Sequence, residues 1–528
     1  MPLAPGNLVT SAISPTQINL AWADNSTNEL GFKVERAPAV NGPWTFLGAT
    51  TQTGYGDSNL TPSTTYFYRV CAYNAAGDSL FSNIASGVTL PSAASTWSKR
   101  YGNTADDRGQ ATAVDGTGRV AVTGSFFGTT DFGGGLVSSA TCCTGTSTMD
   151  IFVSEYAPSG TYLWTRVIGS DSDESGKAIA TDSNGNVLVT GYQGSYSVDY
   201  GGGPQTSRGG NEIFIAKYSS AGSWVWSKTI GGSGYDQGNA IAADTAGDVF
   251  VTGYIGSSAS GVDFGGGAIF SVGLADGFLV KYSSTGAHIW SKRFGGSGND
   301  AGMAVSTDSA GNVVVVGSFE GTVDFGGGNL TSAGSRDVFV AKYSPTGQHL
   351  WSKKFGGTGD DVGYGVAFDS AGEILLNGKF QGSVGFGGAA LTSAGLDDIF
   401  LVKLSGANGA HLWSKGFGST SGDVALGLDV DSARNIVMTG YFTGSVNFGG
   451  GALSGTGLEV FVAKYDSAGT HLWSRKYGGF DTQIGNSVAI APTGHVSVTG
   501  YFSSIVDLGT GQLTSAGNYD AFLGSIAP

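Results

Sequence analysis

Six carboxylates and one amide occupy a single position of a glycine-rich turn that recurs along the chain: Asp107, Glu174, Asp236, Asp300, Asp361, Asp423 and Gln483. Such a set could do two kinds of chemistry. Several hard oxygen ligands suit a cation, with calcium the candidate, and two carboxyls held ~5–10 Å apart could hydrolyse a glycoside. A third reading needs no ligand, because an Asp in a glycine turn readily accepts the N–H groups of that turn. Glycine follows two residues later in six units, as Gly109, Gly176, Gly238, Gly302, Gly363 and Gly485, with Ala425 the exception. A residue serving loop geometry must recur in every copy, whereas one serving a single active site need not. Loop geometry is therefore the first expectation, for the adjacent Asp360 and Asp361 as for the rest. The stretch "DSDESG", residues 171–176, imitates the start of a calcium loop. Its twelfth position, Asp182, lies beyond an intervening strand, roughly 15–20 Å away at ~3.3 Å per residue, so the mimicry fails.

A second acidic series, Asp131, Asp199, Asp263, Asp324 and Asp507, lies in "VDFGGG" loops, with Gly385 and Asn447 in its place in the fifth and sixth units. These loops should open on the same face as the acidic turns; anchoring of the loop by Asp and its glycines is the first expectation, and calcium or a polyol bound there is the alternative. Departures from the repeat also point to function. One inner-strand position is small in six units (Ala113, Ala180, Ala242, Ser306, Ala367, Ala489), and Asp429 breaks that set. A carboxylate there needs partners or a raised pKa. Lys379 stands where other units carry Ser or Tyr, which suggests a channel-side site around units five and six; drift is the alternative. His288, His349, His411 and His471 each precede a tryptophan by two positions. They fall on outermost strands of different units and should pack rather than converge on a metal. No "GxSxG" elbow and no phosphate loop is present.

The elements that must position these residues follow from composition and repetition. Gly accounts for 91 of 528 residues and charged residues for only 13%, yet 40% are hydrophobic, ample for burial. The net charge of −15 argues against a nucleic-acid surface. No apolar run is long enough to span a bilayer, and the opening "MPLAPGNLV" has no signal-peptide pattern. Three cysteines are too few for a disulfide framework. Cys71 reads as a buried small hydrophobe, while Cys142 and Cys143 are either a vicinal disulfide or an inert loop pair. Tryptophans 97, 164, 226, 290, 351, 413 and 473 open seven units of about 60 residues. Each unit holds four strands, the size of a propeller blade. The chain enters with a spare "WSKRY" strand and ends directly after a third-type strand, so the first strand should complete the last blade and close the ring, leaving no open edge.

Residues 1–90 read differently, as alternating strands separated by turns. Trp22 on an early strand and "LTPSTTY", leading to Tyr66, resemble a fibronectin type III domain and its tyrosine corner. Residues 91–95 read as a linker, and 96–528 as the propeller. The repeat units, as in "WSKRFGGSGNDAGMAVSTDSAGNVVVVGSF" (residues 290–319), resemble the bacterial β-propeller repeat family known as SBBP. That resemblance implies an exported bacterial protein but lends no active site. The expectation is an all-β chain, a fibronectin type III-like sandwich followed by a seven-bladed β-propeller closed by the N-terminal strand of the repeat region. It would act outside the cell or at its surface by binding a glycan, polysaccharide or protein. A structural role in an extracellular assembly and a polysaccharide-degrading enzyme are the alternatives.

Overall fold

The computed structural model describes the chain except for residues 15–16, 59, 62–63, 90–94, 143–144, 146, 195–196 and 528. Most of the expected linker and Cys143 of the cysteine pair thus lie outside the described residues. Among the described residues the chain is all β, and no helix is long and apolar enough to cross a membrane. It divides into two compact units, one built on Met1–Ala93 and the other on Ala94–His471 with Arg475–Pro528.

The first unit is a pair of antiparallel sheets. Gly6–Ser14, Gln17–Ala23 and Gly54–Asp57 form one sheet. The other is built on Gly31–Ala37, Thr45–Thr50 and Thr65–Asn74. Alternation along Gln17–Ala23 sends Ile18, Leu20 and Trp22 inward against Phe32, Val34, Tyr68 and Val70. Cys71 is buried at 3% exposure. The Tyr66 hydroxyl accepts the Thr61 N–H at 3.0 Å, the bond that defines a tyrosine corner.

The second unit is built on seven four-stranded antiparallel sheets, each accompanied by a short two-stranded hairpin. In the first, the order from inner to outer strand is Arg108–Val114, Val120–Phe126, Asp150–Tyr156 and Tyr162–Ile168. The middle strands show no alternation, because neighbouring sheets cover both faces; every residue of "VVVVGSF" and "DVFVAKY" is buried. Inner strands of successive sheets lie side by side, and that of the seventh lies against that of the first. The seventh sheet draws three strands from the end of the chain, and its outer strand is Ser95–Tyr101, paired antiparallel with Asp520–Ile526.

Repeated side chains tie one sheet to the next. Trp226 Nε1 donates to the Ser284 carbonyl at 3.0 Å, Trp290 to Pro345 at 3.0 Å and Trp351 to Gly406 at 3.2 Å, each reaching a turn of the following unit. Trp97 does the same from the seventh sheet to Pro158 of the first unit, at 3.0 Å. Third-strand lysines are buried against the carboxylates of the "DSAGN"-type turns, with Lys217–Asp182 at 2.9 Å and Lys403–Asp369 at 2.8 Å. A buried ammonium is costly unless it is paired in this way.

Candidate ligand-binding face

The acidic-turn residues are loop ties. All seven are buried, at 0–1% exposure. Asp361 accepts Gly357 N–H at 2.8 Å and Gln381 N–H at 3.0 Å, joining the turn before the inner strand to the loop after the second strand. Asp107, Asp236, Asp300 and Asp423 repeat the pattern with residues four before and twenty after. Glu174 turns to Ser170 instead, taking its N–H at 3.1 Å and its hydroxyl at 2.6 Å, and Gln483 donates to the Ser503 carbonyl at 3.3 Å. Burial pushes Asp107, Asp236 and Asp300 up to about 6 against the pull of the N–H bonds, and Glu174 up to about 8. Beside them sits a second buried series at the start of the third strands: Asp150, Glu212, Asp276, Asp337, Asp398, Glu459 and Asp520. Several are paired with outer-strand cations, as Lys354 is with Asp337 at 3.1 Å. Sequence reasoning passed over this set, although its carboxylate recurs just before "FVAKY".

The second acidic series is placed differently from expectation. Asp263 accepts Gly265 N–H at 2.7 Å and Gly267 N–H at 3.0 Å, and Asp131, Asp199, Asp324 and Asp507 do likewise with their own glycines. These hairpins do not stand up beside the acidic turns. They fold back along the outer strand, so that a Cβ on Gly266 would come within 2.5 Å of the His288 ring, at the far end of the sheet. His349, His411 and His471 lie under Gly327, Gly388 and Gly450 in the same way. The folded-back hairpin covers the exposed edge of each outer strand, and the five aspartates are spread around the outside. Among the described residues, no three His, Cys, Asp or Glu side chains gather to hold a metal.

Asp429 and Lys379 are not joined in one site. Asp429 lines the cavity between the inner strands, accepting Val430 N–H at 2.8 Å and Ile490 N–H at 2.7 Å, and burial pushes it to about 6. Lys379 lies between Asp360 at 3.0 Å and Asp397 at 3.2 Å, with Arg336 forked onto Asp360 at 2.6 and 2.7 Å. Burial pulls the Lys379 ammonium down, and its carboxylate partners outweigh this and leave it raised.

What the sequence reading missed is a set of β-bulges. In every inner strand one residue is skipped in the pairing with the second strand: Gln110, Lys177, Asn239, Met303, Tyr364, Leu426 and Asn486. A bulge re-aims its extra residue out of the ladder. All seven line the cavity of about 370 Å³ between the inner strands. In a chain that repeats itself almost everywhere else, this position carries five amide, cationic, aromatic or thioether types among its seven members plus one leucine and a second Asn. The signal was visible in the sequence as the variable residue directly after the repeated Gly109-type position.

Seven like sheets, together with a separate sandwich, define a protein of repeated units. Residues 3–88 are a fibronectin type III domain, and residues 163–192 and 225–258 are beta-propeller repeats, in that order along the chain. The chain is 25% identical over 438 residues to an uncharacterized WD repeat-containing protein of Acanthamoeba polyphaga mimivirus, covering 65% of this chain and 31% of the viral protein. It is 25% identical over 283 residues to the regulatory protein FlaEY of Caulobacter vibrioides, covering 52% and 28%. An alpha-amylase of Niallia circulans is 34% identical over 92 residues, 17% of this chain and 7% of that enzyme. The chain thus spans under a third of the length of these relatives. Among solved structures, an Fn3-like protein from Clostridium thermocellum is 28% identical over 16% of this chain and 90% of its own, with a TM-score of 0.15.

Proposed function

We infer that the repeat unit is a seven-bladed propeller closed by Ser95–Tyr101, and that it binds a ligand at the mouth of its axial cavity. The pairing of Ser95–Tyr101 with Asp520–Ile526, and the Trp97 bond that matches the inter-sheet bonds of Trp226, Trp290 and Trp351, support the closure. The observation that carries the binding reading is the variable set of bulge residues. Selection for the fold alone asks for the small residue before each bulge and has no use for six different side-chain types among the seven positions after it. The ligand is a glycan, a polysaccharide or a protein. Its place is the bacterial surface or medium, in keeping with the resemblance of the repeats, and the sandwich serves as a spacer or second contact.

A glycan array probed with the whole chain, once with calcium and once with a chelator, tests this reading. Binding that survives the chelator and is lost on Tyr364→Ala or Asn239→Ala supports it. Binding unaltered by those changes and lost on Asp263→Asn would move the site to the outer hairpins.

A further inference from the structure

One second-strand position, next to the bulges, is Tyr192, Tyr254, Tyr441 or Tyr501 in four units and Lys379 in a fifth, but serine in the first and fourth, as Ser125 and Ser318. Replacing a ring by a hydroxymethyl should leave a hollow, and cavities of about 290 and 320 Å³ open at Ser125 and Ser318. The fourth-unit hollow is bordered by Arg336, which is already committed to Asp360. The first-unit hollow, between sheets one and two, has a different lining.

Two cations reach it. The Arg108 guanidinium lies 4.9 Å from the Tyr501 ring and 5.3 Å from the Tyr519 ring, with Asp106 at 3.5 Å. Lys177, the bulge residue of the second sheet, lies over the Tyr192 ring at 5.5 Å. Among the described residues no carboxylate is within ion-pair distance of Lys177, and burial together with the Arg108 charge holds its ammonium below the usual range. In a chain of net charge −15 this is an unneutralised cation in a hollow. The wall also holds Ser175, 1% exposed, whose hydroxyl has no hydrogen-bond partner. An unmade hydrogen bond on a buried hydroxyl is a cost a native site keeps only for a reason.

We propose that this hollow between sheets one and two binds an acidic sugar unit, its carboxylate on Lys177 and Arg108 and its ring hydroxyls on Ser175, Gln110 and Asp106. The ligand class follows from the lining. The cations call for an anion, while a hydroxyl, an amide and a carboxylate side by side call for groups that both donate and accept, which a sugar hydroxyl does and a bare anion does not. The volume is near the low end for ligand pockets, ~300–1,000 Å³, and fits one saccharide unit. This inference rests on the reading of the cavity mouth as a glycan-binding face.

Titration calorimetry of the whole chain with oligogalacturonate, its methyl-esterified neutral form and inorganic phosphate tests it. The expected result is binding of the acidic oligomer at least tenfold tighter than of the neutral form or phosphate. Lys177→Met and Ser125→Tyr should each abolish that preference. Both should fold, since Met303 and four tyrosines occupy the equivalent places in other units. Acidic and neutral oligomers bound equally, or an unchanged preference in both variants, overturns the acidic-sugar site while the glycan-binding mouth stands. Phosphate bound as tightly as the oligomer reduces the hollow to a simple anion site and overturns it too. No binding of either oligomer, with no glycan retained on the array, removes both readings.

Discussion

The acidic turns show how much a single carboxylate can do without touching a ligand. Asp361 ties two loops through two N–H groups. Asp361→Ala would leave both donors unmatched and should lower stability by about 1–3 kcal/mol; a denaturant midpoint unchanged from wild type would reject the tie. Glu174 gives a sharper test through pH. Its carboxyl is raised from 4.5 to about 8 by burial, so between those values the folded chain holds a proton that the unfolded chain has released. The stability it contributes is complete below 4.5 and is lost as pH rises through about 8. Glu174→Gln, which places in unit two an amide of the kind unit seven already carries as Gln483, should flatten that fall. Thermal melts from pH 4 to 8 would read it as a smaller drop in Tm than in the wild type. These roles were legible in sequence from recurrence alone. The third-strand partners such as Asp337 were not, because a carboxylate at the head of an apolar run gives no sign of whether a neighbour or a ligand satisfies it.

At the scale of strands and hairpins, the repeat showed how many strands each unit has but not where the "VDFGGG" connection goes. A hairpin projecting from the rim and one folded against the outer strand have the same local sequence. Only the contact of Gly266 with His288 distinguishes them, and that contact joins residues from opposite ends of the unit's outer half. It explains both the glycine triplet and the repeated His, which no single segment accounts for. Gly266→Ala should cost about 1–3 kcal/mol by forcing the ring aside, and His288→Ala in the same chain should recover part of that loss. Additive effects in the double-variant cycle would refute the packing. The bulges were legible in principle, since each inner strand carries one residue more than its partner can pair. Register is a property of two strands together, however, and neither sequence states it alone.

For the molecule as a whole, repetition made the seven sheets the most legible feature, because the same four-strand pattern recurs unit after unit, and the pairing of Ser95–Tyr101 with Asp520–Ile526 completes the seventh. A chain starting at Ser95 should unfold in a single transition like the intact repeat unit, whereas one starting at Gly102 should lose that transition and self-associate through the bare edge of Asp520–Ile526. Calorimetry with size-exclusion chromatography would decide between these outcomes. The same pairing sets a timetable for synthesis. Arg100 meets Asp520 across 420 positions of chain. At ~5–20 residues per second the ribosome needs about twenty to eighty seconds to make that interval. Throughout it, the strand that completes the seventh sheet has been made and has nothing to pair with. The six sheets formed meanwhile can settle next to one another as they emerge, but the seventh waits for Asp520–Ile526. Any partner that holds the waiting strand extended and soluble during that interval would govern how much of the protein matures.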